Sequence, residues 1–235
     1  MTSPPYDDLR TYGGHSWDFE ATAKALYDIL VDGGVVCWNV GDSVKDGSET
    51  LTSFRQAIYF KDQCGFRVHD TMIWEKANFS NPERTRYHQI FEYVFVLSKG
   101  SPRIFNPIMD KPNATAGMVG TVGKNTYTQR DGSKSTRPTY ITRDYGMRTN
   151  VWRGLTAGQE EMGRGVDHPA QMPRWLARDL IFSWSNPGDL VIDPFAGSGT
   201  TLQAAENIGR HWIGIDINPE YERLQHYRTS QQGML

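Results

Sequence analysis

The sequence predicts an α/β fold, because segments with the apolar pattern of strands alternate with segments of helical spacing along its 235 residues. A glycine-rich turn, DPFAGSGTT at residues 193–201, lies between a predicted strand and a predicted helix. Glycines in such a turn let the backbone approach a ligand where a Cβ would obstruct it. The chain is long enough to bury one substantial core, so we expect a single α/β core domain.

Two helices and three strands are predicted in the first half of the chain. The first helix begins at Trp17-Asp18-Phe19, its apolar side chains recur at helical spacing, and Gly33-Gly34 ends it. A second helix is predicted at 51–64. Runs of β-branched, aromatic and other apolar residues predict strands at 35–40, 66–74 and 90–97. This alternation is the basis of the α/β prediction.

The last third of the chain resumes the alternation. A helix is predicted at about 173–183, where a proline suits the first turn. Residues 190–193 are predicted as a short strand before the glycine-rich turn, and the next helix begins at about Thr200. A strand at 212–216 and a helix from Pro219 complete the predicted elements.

The segment between residues 100 and 150 breaks this pattern, because Gly, Pro, Thr, Ser and Asn punctuate it and no apolar period persists. The formal net charge of the chain is −2, yet Ser101 to Arg153 carries nine Lys or Arg against three Asp. We therefore predict a loop-rich, basic inserted region at 100–153. It separates two halves of one core, at 1–99 and 154–235.

Composition excludes several classes of protein. Apolar residues make up 38% of the chain, and no run of about 18 apolar residues exists to span a bilayer. The N-terminus lacks the charged and apolar regions of a secretory signal, so we expect no membrane partner and a cytoplasmic location. Cys37 and Cys64 have neither CxxC spacing nor a His-rich neighbour, so we expect no metal and two buried free thiols.

An acidic residue follows the glycine-rich turn at the end of the next predicted strand. Asp216 stands seventeen residues after Gly199, and an acid there can accept hydrogen bonds from the hydroxyls of a ribose. A dehydrogenase that uses NAD is one alternative, but Gly197-x-Gly199 lacks the third glycine of the dinucleotide fingerprint. A role for Asp216 as a helix cap is the structural alternative.

Three segments follow one another in the second half: HPAQMP at 168–173, DPFAGSGTT at 193–201 and GRHWIGIDINPEY at 209–221. Together they resemble the amino-methyltransferases of DNA, with Met172 in place of the usual Phe. The resemblance implies that Asp193 contacts the methionine part of S-adenosylmethionine, that the glycine turn passes beneath it, and that Asp216 holds its ribose. The implied cofactor-binding residues are His168, Pro169, Asp193, Pro194, Phe195, Gly197, Ser198, Gly199, Thr200, Thr201, Asp216 and Asn218.

A fourth segment, Ser3-Pro4-Pro5-Tyr6, resembles the catalytic tetrapeptide of the same family. Its place before the glycine motif, with a basic insertion between, resembles the family's beta arrangement. Trp74-Glu75-Lys76 and Phe91-Glu92-Tyr93 stand where the family has related segments. The resemblance implies a Rossmann-like S-adenosylmethionine-dependent methyltransferase fold with permuted motif order.

The tetrapeptide suits chemistry on an exocyclic amine, whose lone pair is delocalised into the ring and is therefore a poor nucleophile. The Ser3 hydroxyl and the Pro4 carbonyl can accept the two amine hydrogens and so favour a pyramidal nitrogen. The prolines stiffen the turn, and Tyr6 offers a flat face on which a base extruded from the duplex can stack.

The methylated base has two alternatives, cytosine and adenine. Ser at the first position of the tetrapeptide is associated mostly with cytosine N4 and Asp with adenine N6, so we predict N4 methylation of cytosine in DNA. Carbon-5 methylation needs a cysteine after a proline, whereas Cys37 follows a valine and Cys64 follows a glutamine. A catalytically silent remnant that binds DNA or cofactor is the alternative of another class.

The resemblance also sets expectations for partners. We expect the basic insertion to contact DNA phosphates and base edges, and the candidates are Arg130, Lys134, Arg137 and Arg143. Relatives ordinarily carry an apolar strand before the tetrapeptide, whereas only Met1 and Thr2 precede it here. Either an upstream segment is missing, or the sheet closes without it, or another chain supplies the strand, and we expect the first. A shortened sheet would expose strand edges, which would allow a homodimer to form.

Overall fold

The computed structural model describes residues 1–5, 17–78, 84–120, 126–128, 130–136, 140–157 and 172–230. The chain divides into two compact units, Met1–Asn106 together with Asn150–Leu235, and Pro107–Thr149. The first unit carries the α/β core. No helix in the described ranges is long and apolar enough to cross a membrane.

Five helices and fourteen strands are present among the described residues. The helices α1 to α5 are Phe19–Ile29, Thr52–Asp62, Arg174–Trp184, Thr200–Asn207 and Glu220–Ser230. The strands β1 to β14 are Val35–Val40, Val44–Lys45, Ser48–Glu49, Arg67–Lys76, Phe91–Ser98, Lys111–Pro112, Val119–Gly120, Thr126–Thr128, Lys134–Thr136, Tyr140–Ile141, Tyr145–Gly146, Val151–Gly154, Leu190–Asp193 and His211–Gly214. Every helix and strand predicted for the core is present with the predicted type, although several ends differ from the prediction, and the α/β class is confirmed.

The core contains a four-stranded sheet and a two-stranded sheet. The first has the order β1-β5-β4-β12, in which β5 runs antiparallel to both neighbours and β12 runs parallel to β4. The second pairs β13 with β14 in parallel. Strands β1, β4 and β12 therefore point the same way, and their carboxyl ends share one edge of the sheet.

The first two residues connect these sheets. Thr2 forms a parallel bridge with Trp38 of β1, in which the Thr2 N–H donates to the Cys37 carbonyl and the Asn39 N–H donates to the Thr2 carbonyl, both at 3.0 Å. On the other side, the Met1 nitrogen donates to the Ile192 carbonyl of β13 at 3.1 Å. Met1 and Thr2 thus lie between β1 and β13 and join the two halves of the core.

Alternate residues of β1 and β5 build the apolar core on one face of the larger sheet. Trp38 and Phe95 are buried there against Phe60 of α2. The rings of Trp38 and Phe60 meet edge to face with centroids 5.0 Å apart, an arrangement that aromatic pairs prefer. Helix α1 packs its apolar stripe on the same core, and Asp18 caps it by accepting a hydrogen bond from the Ala21 N–H.

Some local structure differs from the prediction. The strand predicted at 212–216 ends at Gly214, because the next residues turn so that the Asp216 carboxylate can accept backbone hydrogen bonds. The loop-rich region contains three antiparallel pairs, β6 with β11, β7 with β10, and β8 with β9. Strands of two or three residues are too short to show an alternating pattern, so the sequence carried no signal for them.

Candidate active site

The predicted catalytic tetrapeptide begins immediately after the Thr2 bridge. Ser3 therefore comes next to Asn39 in the register, near the carboxyl end of β1. Pro4 is buried, Ser3 and Pro5 are partly buried, and Tyr6 lies outside the described residues. Open α/β sheets bind their ligands at this edge, beyond the carboxyl ends of parallel strands.

Asp193 links the glycine-rich turn to the start of the tetrapeptide. It is the last residue of β13 and is buried. Its Oδ1 accepts a hydrogen bond from the Thr2 hydroxyl at 2.6 Å and another from the Phe195 N–H at 3.0 Å. Thr2 and Asp193, which lie 191 positions apart in the sequence, are therefore joined by one direct hydrogen bond between buried side chains.

Asp216 accepts a hydrogen bond from the glycine-rich turn on its other side. One carboxylate oxygen accepts from the Gly197 N–H at 2.7 Å, and the other accepts from the Asn218 N–H at 2.9 Å. Gly197 and Gly199 both adopt positive φ, at 48° and 83°, which residues with a side chain rarely adopt. The acidic residue and the two glycines that the sequence singled out are thus parts of one rigid turn.

Helix α5 supports the same turn, which the sequence did not indicate. The Gln225 side chain donates to the Gly197 carbonyl at 2.9 Å. The Arg228 guanidinium donates to the Ser198 hydroxyl at 3.0 Å and to the Thr200 hydroxyl at 2.9 Å. Because α5 has few apolar residues, no hydrophobic pattern identified the face that packs on the turn.

A polar cluster of Asn39, Lys76 and Glu92 lies on the sheet face opposite the Trp38 core. Side chains alternate between faces along a strand, so Asn39 points away from that core, as does Ser3 by its place in the register. Asn39 Nδ2 donates to Glu92 Oε2 at 3.0 Å, and Lys76 Nζ lies 2.6 Å from Glu92 Oε1. The cluster occupies the ends of β1 and β4 and the start of β5.

Trp74 completes this polar cluster. Lys76 Nζ lies 5.4 Å from the centroid of the Trp74 ring, within the range of a cation–π contact. The buried Trp74 Nε1 has no hydrogen-bond partner among the described residues. The sequence resemblance marked the segments of Lys76 and Glu92 without assigning them a function, and it gave no indication of Asn39.

Comparison with known proteins agrees with this arrangement. The family model described as DNA methylase, for N6- and N4-methyltransferases, matches residues 1–226. The orphan methyltransferase M.BamHII of Bacillus amyloliquefaciens is 46% identical, with 97% of this chain and 88% of that protein covered. This chain belongs to the N6/N4 DNA methylase family. It is an S-adenosylmethionine-dependent DNA methyltransferase.

Two solved structures are similar in fold. The cytosine-N4-specific PvuII DNA methyltransferase matches with a TM-score of 0.68 at 23% identity, over 97% of this chain and 77% of that one. The M1.HpyAVI complex with SAM matches with a TM-score of 0.57 at 25% identity, over 97% and 86%. The Rossmann-like methyltransferase fold predicted from the sequence is therefore confirmed, and a dehydrogenase is excluded.

The residues of the glycine-rich turn fit S-adenosylmethionine. Asp193 Oδ2 accepts no hydrogen bond from the described residues, so this carboxylate retains acceptor capacity for the ammonium of the cofactor. At Gly199, an added Cβ would lie 3.1 Å from the Gln225 Cα and the residue would keep a strained positive φ, so glycine is favoured there. The cofactor itself supplies a methyl group on a sulfonium, ready for in-line transfer.

The other predicted cofactor-binding residues of the methyltransferase differ in burial and in the contacts that they make. Ser198, Thr200 and Thr201 are buried, and Phe195 packs its ring against Trp17 with centroids 4.9 Å apart. Asn218 caps α5, since its Oδ1 accepts from the Glu220 N–H at 3.0 Å. Pro194 is partly buried, and His168 and Pro169 lie outside the described residues. Cofactor contact from all of them stays a prediction.

The predicted DNA-binding residues belong to the second unit. Arg130 and Arg143 are exposed there. Lys134 begins β9 but its side chain is not described, and Arg137 lies outside the described residues. Their contact with DNA stays a prediction.

The two cysteines differ, contrary to the prediction that both thiols are buried. Both are free. Cys37 is buried in β1, and burial raises its pKa to about 12. Cys64 is only partly buried, because it lies in the turn that follows α2. No group of three or more His, Cys, Asp or Glu in the described part of the chain could hold a metal ion.

Proposed function

We propose that this enzyme transfers the methyl group of S-adenosylmethionine to the exocyclic N4 of cytosine in DNA. The observation that carries the proposal is the hydrogen bond between Thr2 and Asp193, which holds the tetrapeptide next to the cofactor turn. Methyl transfer needs the amine and the methyl group within a near-attack distance, and this contact brings the two motifs together.

Ser3 and Pro4 supply the acceptors for the amine. The Ser3 hydroxyl oxygen and the Pro4 carbonyl accept one amine hydrogen each, which directs the nitrogen lone pair out of the ring plane. The nitrogen bonds to the methyl group as the sulfonium–methyl bond breaks, and S-adenosylhomocysteine is the leaving group. The nitrogen becomes cationic, so these oxygens stabilise its developing positive charge until the surplus proton passes to solvent. No protein nucleophile takes part, and the raised pKa of Cys37 keeps that thiol protonated.

The Asn39–Lys76–Glu92 cluster supports cytosine as the target. An ammonium has three donor protons, and the contact with Glu92 uses one. Cytosine presents two acceptors side by side, N3 and O2, so Lys76 can donate to this edge while Ser3 accepts from N4. Glu92 balances the lysine charge, and Asn39 orients Glu92 by donating to it. Serine at the start of the tetrapeptide also supports cytosine as the target base.

The insertion supplies the proposed DNA contacts. Arg130, Lys134, Arg137 and Arg143 neutralise DNA phosphates, so binding weakens as salt rises. The enzyme acts in the cytoplasm on this proposal, since its substrate is cellular DNA. Homodimer formation and the residues that read the DNA sequence stay predictions.

Transfer of labelled methyl to duplex DNA of mixed sequence tests the proposal. The product is digested to nucleosides and identified by mass spectrometry, and N4-methylcytosine is the expected product. N6-methyladenine would overturn the choice of base and leave the family chemistry intact. Absence of label in DNA, together with binding of S-adenosylhomocysteine, would instead identify a catalytically silent protein. Ser3→Ala is the matched variant, and it should lower turnover without weakening binding of S-adenosylhomocysteine.

A further inference from the structure

We propose that Thr2 is a positioning residue of the methyltransferase, whose hydroxyl sets the tetrapeptide relative to the cofactor through Asp193. The inference deepens the proposed function and rests on it, because it concerns how the two halves of that site are aligned. Thr2 is not itself placed in contact with the amine or the methyl group.

All polar groups of Thr2 are hydrogen-bonded. Its N–H and carbonyl pair with β1, and its hydroxyl donates to Asp193 Oδ1 at 2.6 Å. Both side chains are buried, with 1% and 3% of their residue surface exposed. A hydroxyl that donates to a carboxylate at this distance makes a charge-assisted bond, which is stronger than a neutral one. Thr2 therefore holds the strand before Ser3 from two sides.

The geometry of Asp193 gives this bond a consequence for the cofactor. The Thr2 hydroxyl and the Phe195 N–H both donate to Oδ1, which fixes the carboxylate plane and directs Oδ2 away from them. The oxygen proposed to meet the cofactor ammonium is therefore oriented by the residue that precedes the tetrapeptide. The Thr2 hydroxyl thus ties the position of Ser3 to the Asp193 carboxylate, whose direction the Phe195 N–H also holds.

A β-branched residue suits this position. Thr has few side-chain rotamers in a strand, so its hydroxyl is held in place with little loss of entropy. Valine has the same shape without the donor, and serine keeps the donor without the methyl group. These two substitutions separate the hydrogen bond from the packing.

The test compares Thr2→Val, Thr2→Ser and Thr2→Cys in the untagged chain, since Met1 also contacts β13. Methyl transfer to DNA and binding of S-adenosylhomocysteine are measured for each. Thr2→Val should lower kcat about 10- to 100-fold, the loss typical of a displaced catalytic group. KM for DNA and the Kd for S-adenosylhomocysteine should change much less than kcat, because the Phe195 N–H still donates to Asp193 Oδ1 in these variants. Thr2→Ser should restore most of kcat, and Thr2→Cys, a weaker donor, should be intermediate.

Thr22→Val is the matched control, because it removes a threonine hydroxyl that donates to the Asp18 carbonyl at 2.7 Å on the surface. It should leave kcat unchanged. Wild-type kcat in Thr2→Val overturns the inference. Equal losses of kcat and cofactor affinity that serine does not restore also overturn it, because they indicate a purely structural role. If Thr2→Val does not fold, the order of threonine, serine and cysteine decides the question.

A second readout is independent of turnover and of the target base. The backbone N–H of Asn39 donates to the Thr2 carbonyl, so hydrogen exchange at this N–H reports on the position of Thr2. S-adenosylhomocysteine should slow this exchange in the wild type and in Thr2→Ser but not in Thr2→Val. Equal slowing in all three overturns the inference. A wild type that binds S-adenosylhomocysteine without methylating DNA would contradict the proposed function alone.

Discussion

The proposed cofactor side and the proposed target-base side of this methyltransferase are assembled in different ways. Most contacts of the glycine-rich turn join residues between Asp193 and Arg228, a short stretch of chain. The target side collects Ser3, Asn39, Lys76 and Glu92 from separate segments that the sheet brings to one edge. The two sides share one described side-chain hydrogen bond, from Thr2 to Asp193. Cofactor binding and methyl transfer should therefore be separable by substitution.

Asp216→Ala should have the largest effect on the cofactor side. It removes the carboxylate that accepts from Gly197 and Asn218 and that is proposed to hold the ribose. Hydrogen bonds to a charged group contribute about 1.5–3 kcal/mol each, so the affinity for S-adenosylhomocysteine should fall by about 100-fold. Titration calorimetry measures this change.

Asp189→Ala is the control for that substitution. Asp189 also accepts a backbone hydrogen bond, from the Asn186 N–H at 2.7 Å, but it lies in the turn before β13. Affinity should remain that of the wild type. A normal affinity in Asp216→Ala would show that this residue only shapes the turn.

Lys76→Met should have the next largest effect, on the target side. It leaves the Glu92 carboxylate, only 12% exposed, without its lysine partner and removes the proposed donors to the base. We expect kcat to fall about 10-fold or more, because a hydrogen bond to a charged group contributes about 1.5–3 kcal/mol. Binding of S-adenosylhomocysteine should be unchanged.

Glu75→Gln is the control for Lys76→Met, at the adjacent position of β4. Glu75 pairs with Arg153, whose side chain is 73% exposed. Exposed ion pairs contribute about 0–1 kcal/mol, so turnover should stay close to that of the wild type. Equal losses from Lys76→Met and Glu75→Gln would contradict a specific role for the Asn39–Lys76–Glu92 cluster.

Gly199→Ala should have the smallest effect, and it tests the packing of α5 on the turn. Gly199 and Gly188 have similar φ values, 83° and 88°, but only at Gly199 would the new Cβ meet Gln225. Gly188→Ala is the control, and both alanine variants lose about 1–2 kcal/mol of stability from left-handed strain. Each further kcal/mol lowers Tm by about 2–4 °C in a chain of this size, so Gly199→Ala should melt several degrees lower. Equal melting temperatures would indicate that α5 moves aside.

Several features of the fold were predictable from local sequence, and one more could have been. The bounds of β1 and β13 follow from short apolar runs, and Asp18 is a normal helix cap. The hairpin of β2 and β3 was not predicted, although Asp46-Gly47 carries its signal. Both residues have positive φ, as a two-residue hairpin turn with Asp-Gly requires.

Contacts between distant segments were not predictable in the same way. Arg228 is one of two arginines on the polar helix α5, and only the structure places it against Ser198 and Thr200. Asn39 lies within an apolar strand, and only the pairing of β1 with β5 brings Glu92 to it. The meaning of such residues depends on which strands become neighbours, and spacing along the chain does not encode that.

The sequence by itself determined the fold class, the family and the residues of the cofactor turn. Those features depend on short-range patterns, because a strand, a glycine turn and an acid that act together are close in the chain. Only the tertiary structure decided how the tetrapeptide reaches that turn, through Met1 and Thr2 between β1 and β13. It also decided which polar side chains surround Ser3. The physical reason is that strand order and register arise from burial of the whole core, so residues far apart in sequence become neighbours only when the sheet forms.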